Sequence, residues 1–196
     1  MSRVIVSGCN EPWSQIASVT WPLMQHYADR IGVPFRSHTR ACAFQRPESW
    51  MKLAYVADAL SEFDEVLWLD ADVVISGRCD VNIFAEVPPS AMQAMAKIGD
   101  PPHHNLGVWL VRRGMARVMM LAAMRDQFIH HPWWEQAAIN AVAAEENVPT
   151  HTLGEEWNCW SGSPADVVPK FRHACGISNR LETVQEWARD PHCAAV

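Results

Sequence analysis

The strongest constraint on the fold is a short apolar run that ends in two acidic residues. Residues 65–69, Glu-Val-Leu-Trp-Leu, have the composition of a buried strand, and Asp70-Ala71-Asp72 follows directly. Helical patterns stand on both sides of this strand, and strands that alternate with helices predict an α/β fold with a largely parallel sheet. Open sheets of this kind bind ligands at the carboxyl ends of their strands. The acidic pair is therefore expected at a ligand-binding edge.

The same reading predicts the other elements. The predicted strands are residues 3–6, the region near 35, 65–69, 91–97, 106–111, 148–153 and 167–171. The predicted helices run from a Thr20 cap to Gly32, with Pro22 in the first turn, and over residues 47–63, 115–128, 133–145 and 181–188.

Composition narrows the class of protein. A chain of 196 residues with 49% hydrophobic content fits a single folded domain over residues 1–196. The net charge of −6 disfavours nucleic acid or an anionic membrane as partner. The longest apolar run, residues 118–124, is far too short to span a bilayer, and residues 1–11 do not resemble a signal peptide. We therefore expect no integral membrane segment and a cytoplasmic location.

The six cysteines contain no C-x-x-C pair. In a cytosolic chain this spacing predicts free thiols, mostly buried, rather than a disulfide framework or a structural zinc site.

Asp70 and Asp72 are two residues apart in an extended segment, so both carboxylates point to one side and can share a hard cation. A D-x-D pair alone is weak evidence. The buried strand before it strengthens the interpretation, because a buried charge is costly without a metal or a cationic partner.

Several blocks of the sequence occur together in one order. They are Trp50-Met51-Lys52, residues 63–75, Asn105-Leu106-Gly107-Val108-Trp109-Leu110-Val111, Trp133-Trp134-Glu135-Gln136, Trp157-Asn158 and His173-Ala174-Cys175-Gly176. Over residues 50–176 the chain thereby resembles the metal-dependent glycosyltransferases of GT-A fold. The resemblance is closest to glycosyltransferase family 34, which includes galactosyl, xylosyl and mannosyl transferases, and is looser to family 8.

The resemblance implies a single Rossmann-like GT-A domain that uses a UDP- or GDP-sugar donor, Mn²⁺ or Mg²⁺, and a carbohydrate or other hydroxyl acceptor. It implies that Asp70, Asp72 and His173 hold the metal. The Lys-Pro-Trp that follows the His-x-x-Gly of family 8 is missing here. Arg180 is then the nearest cation for the diphosphate, and Lys52 is a second candidate for a phosphate contact.

The resemblance also places Asn105 and Gly107 against the donor sugar, and Glu135 and Gln136 over the reacting sugar carbon. Each assignment has a simpler alternative. Asn is common in turns and Glu is favoured in a first helical turn. The alternatives for His173, Arg180 and Lys52 are a core or surface histidine, a residue at the start of a helix and an exposed helix lysine.

Loop tryptophans are candidates for sugar stacking. Trp157 and Trp160, which flank Asn158 and precede a Ser-Gly-Ser stretch, are the better acceptor-site candidates among the ten tryptophans. The adjacent pairs His103-His104 and His130-His131 are not expected to form a bidentate metal site.

Three functions stay open at this stage. The favoured function is that of a glycosyltransferase. The resemblance to families 34 and 8 implies that the enzyme retains the anomeric configuration of the donor sugar. A nucleotide-sugar-binding protein without turnover is the main alternative. A sugar-nucleotide pyrophosphorylase is disfavoured, because residues 7–12 are neither glycine-rich nor basic, as a triphosphate loop should be.

Overall fold

The computed structural model describes residues 1–39, 46–77 and 79–189. Its strands are β1 (Arg3–Gly8), β2 (Phe35–His38), β3 (Glu65–Asp70), β4 (Val73–Ile75), β5 (Gln93–Ile98), β6 (His103–His104), β7 (Val108–Arg112), β8 (Thr150–Leu153) and β9 (Phe171–His173). Its α-helices are α1 (Ser14–Ile31), α2 (Met51–Glu62), α3 (Ile83–Glu86), α4 (Ala116–Ala123), α5 (Trp134–Glu145) and α6 (Arg180–Arg189). Short 3₁₀ turns lie at Glu48–Trp50, Arg113–Met115, Asp126–Phe128 and Glu155–Trp157.

Within these ranges, seven strands form one sheet in the order β2-β1-β3-β7-β5-β6, with β8 also paired to β5. Strands β1, β2, β3, β5 and β8 run in one direction, and β6 and β7 run against them. Five of the seven strands are thus codirectional, which confirms the predicted mostly parallel sheet. Strands β4 and β9 form a separate antiparallel pair.

Both faces of the central strands are buried, which explains their unbroken apolar runs. Along β3, Val66 and Trp68 belong to the core cluster that includes α2, α4 and α5, whereas Leu67 and Leu69 belong to the cluster on the opposite face, with α1. The side-chain period of a strand is two, so alternate residues supply the two cores. Helices on both faces leave the strand ends open for a site.

The first helix begins earlier than its sequence predicts. Helix α1 starts at Ser14, and Thr20 lies inside it rather than at its cap. The Thr20 hydroxyl instead donates to the carbonyl of Ala71 at 2.6 Å, in the turn after β3. Gly32 ends the helix at φ 72°, as predicted.

Three further local predictions are wrong. Only Phe171 of residues 167–171 is in a strand, because Pro169 cannot donate to a ladder and Val168 is exposed. The helix predicted over 115–128 ends at Ala123 and is followed by a 3₁₀ turn. The i, i+3, i+4, i+7 spacing of the apolar residues 53, 56, 57 and 60 predicts a buried stripe on the helix over 47–63, but Ala57 is exposed.

The cysteine prediction is only partly right. The four described cysteines are free, but Cys79 alone among them is buried, and Cys9, Cys159 and Cys175 are partly exposed. Cys42 and Cys193 lie outside the described residues.

No helix in the described part of the chain combines the length and the apolar character needed to cross a membrane.

Candidate functional site

Two acidic residues and one histidine meet where β3 ends. Asp70 is the last residue of β3, and Asp72 lies in the turn to β4. The antiparallel β4–β9 pair sets His173 opposite Val73, next to Asp72. His173 Nε2 is 3.3 Å from Asp72 Oδ1 and 3.8 Å from Asp70 Oδ2. One ligand atom from each of these three side chains lies within 4.8 Å of the others, close enough to hold one metal ion.

The His173 ring is held in a fixed orientation. Its Nδ1 lies 3.0 Å from Asn158 Oδ1, which can only accept, so we assign the N–H to Nδ1 and leave Nε2 free to face the carboxylates. The ring also lies against Gly107, where an added Cβ would overlap the imidazole. A second polar group that orients a histidine ligand is a frequent feature of metal sites.

A chain of side-chain amides connects this histidine to α5. Asn158 Nδ2 donates to Asn105 Oδ1 at 2.9 Å, and Asn105 Nδ2 donates to Gln136 Oε1 at 3.0 Å. The Gln136 oxygen also accepts the backbone N–H of Leu106 at 3.1 Å, and Asn105 Oδ1 accepts that of Gly107 at 2.8 Å. Because these buried amides satisfy one another, they fix the positions of the side chains around the acidic pair.

Lys52 is buried between two carboxylates. Its ammonium lies 2.9 Å from Asp70 Oδ1, 3.1 Å from Glu135 Oε1 and 3.2 Å from the carbonyl oxygen of Leu106. Burial alone would lower the pKa of Lys52, but the attraction of Asp70 and Glu135 outweighs it and raises that pKa. Glu135 is also buried, and its Oε2 has no hydrogen-bond partner among the residues that the structure describes.

Arg180, the first residue of α6, pairs with the other aspartate. Its Nε lies 3.2 Å from Asp72 Oδ2 and 2.8 Å from the Ala174 carbonyl oxygen, and its guanidinium lies over the ring of Trp13. Burial would raise the pKa of the Asp72 carboxyl, but His173 and Arg180 lower it overall. Burial would lower the pKa of His173, and Asp72 raises it well above 6.5.

These groups line one open cavity of about 770 Å³ at the carboxyl ends of β1 and β3. The ion-paired group at its floor holds three carboxylates, Asp70, Asp72 and Glu135, against two cations, Lys52 and Arg180. With His173 protonated, as its raised pKa favours, the group carries no net charge. A divalent cation would therefore compensate the carboxylates and leave the site attractive to an anion.

The structure brings nearly all the sequence-predicted residues to this cavity. Those that line it are Lys52, Asp70, Asp72, Asn105, Glu135, Gln136, Trp160, His173 and Arg180. Gly107 lies beneath the His173 ring instead. Trp157 is not at the cavity, because it is buried in the core with its ring edge-on to Phe171. The acceptor-site prediction for Trp157 is therefore wrong.

Other residues of the site escaped the sequence analysis. Trp68 Nε1 donates to Asp70 Oδ1 at 2.6 Å, and its position two residues earlier on the same strand face was the available signal. Trp13 and His103 also line the cavity, but neither carries a sequence signal for this role. Asn158 was noted only as part of a matching block, and its contact with His173 depends on tertiary structure.

No protein-family model and no curated protein sequence matches the chain. Solved structures do match, and they define the class: the fold is that of the GT-A glycosyltransferases. This finding confirms the fold that the sequence resemblance implied.

Three of these structures show the extent of the likeness. A glycosyltransferase involved in glycosylation of the major capsid of PBCV-1 has a TM-score of 0.77 and 17% identity, over 95% of this chain and 100% of that one. The glycosyltransferase GlyE of Streptococcus pneumoniae has a TM-score of 0.67 and 13% identity, and the match covers 96% of this chain and 60% of GlyE. The third structure is a mutant of the Drosophila β-1,4-galactosyltransferase 7 in complex with manganese, UDP-Gal and xylobiose. It has a TM-score of 0.58 and 13% identity, and the match covers 93% of this chain and 74% of that one.

Proposed function

We propose that the protein is a glycosyltransferase that moves a sugar from a nucleoside-diphosphate donor to an acceptor hydroxyl, with Mn²⁺ or Mg²⁺ held by Asp70, Asp72 and His173. The observation that carries the proposal is the meeting of these three side chains within 4.8 Å at the carboxyl end of β3. The Drosophila enzyme of the same fold, which binds manganese and UDP-Gal, supports the choice of cofactor and donor.

The donor set fits a divalent cation. Two carboxylates and one imidazole suit Mn²⁺ at least as well as Mg²⁺. The hydrogen bond from His173 to Asn158 directs Nε2 toward the carboxylates, as a metal ligand requires. When bound, the cation would offset the negative charge that develops on the departing diphosphate.

Nucleotide binding should depend on the metal, since without it the ion-paired group, with His173 protonated, carries no net positive charge. A diphosphate anion would then face repulsion from Asp70 and Asp72. A divalent cation bound by Asp70, Asp72 and a neutral His173 would make the group net positive and the same position attractive.

Arg180 is the better candidate for the diphosphate contact. All three ammonium protons of Lys52 already have partners, Asp70, Glu135 and the Leu106 carbonyl, so none is left for a phosphate. Arg180 uses Nε for its contacts with Asp72 and Ala174. Its terminal nitrogens are therefore the more suitable donors to an anion. Lys52 would instead fix the positions of Asp70 and Glu135.

Glu135 is suited to hold the donor sugar. One of its oxygens pairs with Lys52, and the other is buried at the cavity without a partner. Leaving such an atom unsatisfied costs about 1–3 kcal/mol, which a hydrogen bond from a sugar hydroxyl would offset. Asn105 and Gln136, locked in the amide chain beside Glu135, would complete the wall that faces the sugar.

The stereochemical outcome is proposed from the sequence resemblance. The families that the sequence resembles retain the anomeric configuration, and we propose the same here. If the product were inverted, Glu135 would become the candidate general base for the acceptor hydroxyl.

The test is to incubate the protein with UDP- and GDP-sugars in Mn²⁺, in Mg²⁺ and in chelator, and to follow nucleoside diphosphate release and the product anomer by NMR. We expect metal-dependent release with one donor, lost in Asp72→Asn and kept in Asp166→Asn, a matched change at an exposed site. Tight, metal-dependent binding without turnover would favour a nucleotide-sugar-binding protein. Pyrophosphate formation from a nucleoside triphosphate and a sugar phosphate would indicate a pyrophosphorylase.

A further inference from the structure

Three tryptophans surround the mouth of the cavity beyond the acidic pair. Trp133 and Trp134 are 44% and 43% exposed, and Trp160 is partly exposed. All three line the same cavity as Asp70, Asp72 and His173. We call these three tryptophans the aromatic rim. Large apolar side chains are normally buried, so this much exposed indole beside a polar floor suggests a surface for a ligand.

The turn that carries Trp160 fixes its ring. Ser163 Oγ accepts the backbone N–H of Trp160, and the backbone N–H of Ser163 donates to the Trp160 carbonyl, both at 3.0 Å. The indole lies against Gly162, where an added Cβ would overlap the ring. The absence of a side chain at Gly162 lets the ring pack on its own turn, and the rest of the ring borders the cavity.

The other two tryptophans are held just before Glu135. The Trp133 ring stacks on His103, with the ring centroids 4.0 Å apart and the planes 12° apart. Trp134 has a φ of 36°, in the left-handed region that bulky residues rarely adopt. Such strain persists where surrounding contacts enforce it, often at binding sites. This turn sets the indoles at the mouth while Glu135 is buried beside them.

The charges around the cavity limit what the rim can bind. Among the described residues that line it, Lys52 and Arg180 are the two Lys or Arg side chains, and both are ion-paired to carboxylates of the floor. No further lysine or arginine of the described lining is available to pair with a second anion. The rim therefore suits an uncharged ligand, and the faces of its rings suit the apolar C–H face of a sugar ring.

We propose that the aromatic rim is the acceptor subsite and that the acceptor is an uncharged carbohydrate whose sugar ring stacks on Trp134 and Trp160. This inference rests on the proposed transferase function. A lipid phosphate and a serine or threonine peptide are the competing acceptors that the test compares with the carbohydrate. The rim would hold the acceptor with its hydroxyl directed toward the donor sugar beside Glu135.

The binding test uses an array of neutral oligosaccharides, with acidic glycans, polyprenyl phosphate vesicles and Ser/Thr peptides as comparison ligands. We expect the protein to bind neutral glycans preferentially, with affinity about tenfold lower in Trp160→Ala and in Trp134→Ala. Trp160→Phe should restore most of the loss, because phenylalanine keeps an aromatic face. Met124→Ala, which removes an exposed apolar side chain that does not line the cavity, should bind like the parent protein.

A second readout separates this inference from the proposed function. Thermal unfolding with UDP or GDP and Mn²⁺ reports donor binding independently of the acceptor. A nucleotide shift that survives in Trp160→Ala, together with lost glycan binding, supports the rim as the acceptor subsite. A nucleotide shift with preference for the peptide or the lipid phosphate, or with glycan binding unchanged in both alanine variants, overturns it. No nucleotide shift in any form contradicts the transferase proposal itself.

Discussion

Strand β3 has a buried carboxylate network at each end, and the two networks are built differently. At the start of the strand, Glu65 is fully buried and both its oxygens are paired, with Arg3 Nε at 2.6 Å and Arg112 Nε at 2.8 Å. Arg112 in turn donates to backbone carbonyl oxygens. Those carbonyls belong to Val87, Pro88, Pro89 and Ala91.

At the other end of the strand, the network is incomplete. Asp70, Asp72 and Glu135 share two Lys or Arg partners, Lys52 and Arg180. Among the described residues, Glu135 Oε2 has no hydrogen-bond partner. A cavity opens on this end. Buried polar groups are normally satisfied, so an unsatisfied carboxylate oxygen within a charged cluster at a cavity indicates a ligand site. The comparison separates a network that stabilises the fold from one that is completed by a ligand.

The largest expected effect concerns catalysis at the end of β3. Asp72→Asn keeps the shape of the side chain but removes the charge that a divalent cation needs. We expect transfer to fall by more than about 100-fold, since even groups that only orient metal ligands contribute 10–100-fold. Initial rates at saturating donor measure the effect. Activity in Asp72→Asn equal to that of Asp166→Asn would contradict the assignment.

The next effect concerns stability at the start of β3. Glu65→Gln leaves Arg112 buried without its charge partner, and breaking a buried pair costs about 3 kcal/mol or more. For a chain of this length that is a fall of about 6–12 °C in the melting temperature. Calorimetry measures it, and transfer per folded molecule should be unchanged.

Glu62→Gln is the matched control, because Glu62 also pairs with an arginine, Arg36, but at the surface. Exposed pairs contribute little to stability. Equal destabilisation by the two changes would show that the Glu65 network has no special structural role.

The sequence predicted the acidic end of β3 better than the other end. The alternation of strands and helices, the buried run over residues 65–69 and the D-x-D pair are local features, so the fold and the position of Asp70 and Asp72 were readable. Glu65 gave no signal, because its partner Arg112 is 47 residues away in sequence. The approach of Lys52 to Asp70 and of Asn158 to His173 likewise depends on packing between distant elements.

The wrong predictions have the same origin. Thr20 and Pro22 have the residue types of a helix start, but the bond from Thr20 to Ala71 holds them inside α1. Trp157 lies in a polar loop sequence, but its ring packs edge-on against Phe171 in the core. The roles assigned to Asn105, Gly107 and Gln136, and the cytoplasmic location, stay predictions.

A smaller effect is expected from the contact that orients His173. Asn158→Ala removes the acceptor for Nδ1–H and breaks the amide chain to Asn105. We expect the affinity for Mn²⁺ to fall about 10–100-fold, because the imidazole is then free to rotate or to change tautomer. A Mn²⁺ titration in the presence of UDP checks this. An unchanged affinity would mean that Asn158 does not orient the ligand.

The smallest effect lies beside Glu65. The backbone N–H and hydroxyl of Ser2 donate to the Asp64 carboxylate and lower its pKa. The pKa of Asp64 in the folded protein lies below its pKa in the unfolded chain. The contact therefore stabilises the fold at pH values above the unfolded-state pKa, and this stabilisation is lost as the pH falls through the folded-state pKa. Denaturant unfolding should therefore show a slight difference between Asp64→Asn and the parent protein at pH 7, and none in acid. A difference that grows in acid would contradict the assigned contact.

The most direct test of the whole account is a Mn²⁺ titration followed by electron paramagnetic resonance, with and without UDP or GDP, on the parent protein, Asp72→Asn and Glu65→Gln. Binding depletes the signal of free Mn²⁺. We expect the parent protein to bind one Mn²⁺ ion per chain, and to bind it more tightly in the presence of one of the two nucleotides. Folded Glu65→Gln should bind Mn²⁺ in the same way, and Asp72→Asn should have no Mn²⁺ site. If the parent protein bound no Mn²⁺ with either nucleotide, or if Asp72→Asn bound it equally well, the end of β3 would not be a metal-dependent nucleotide site.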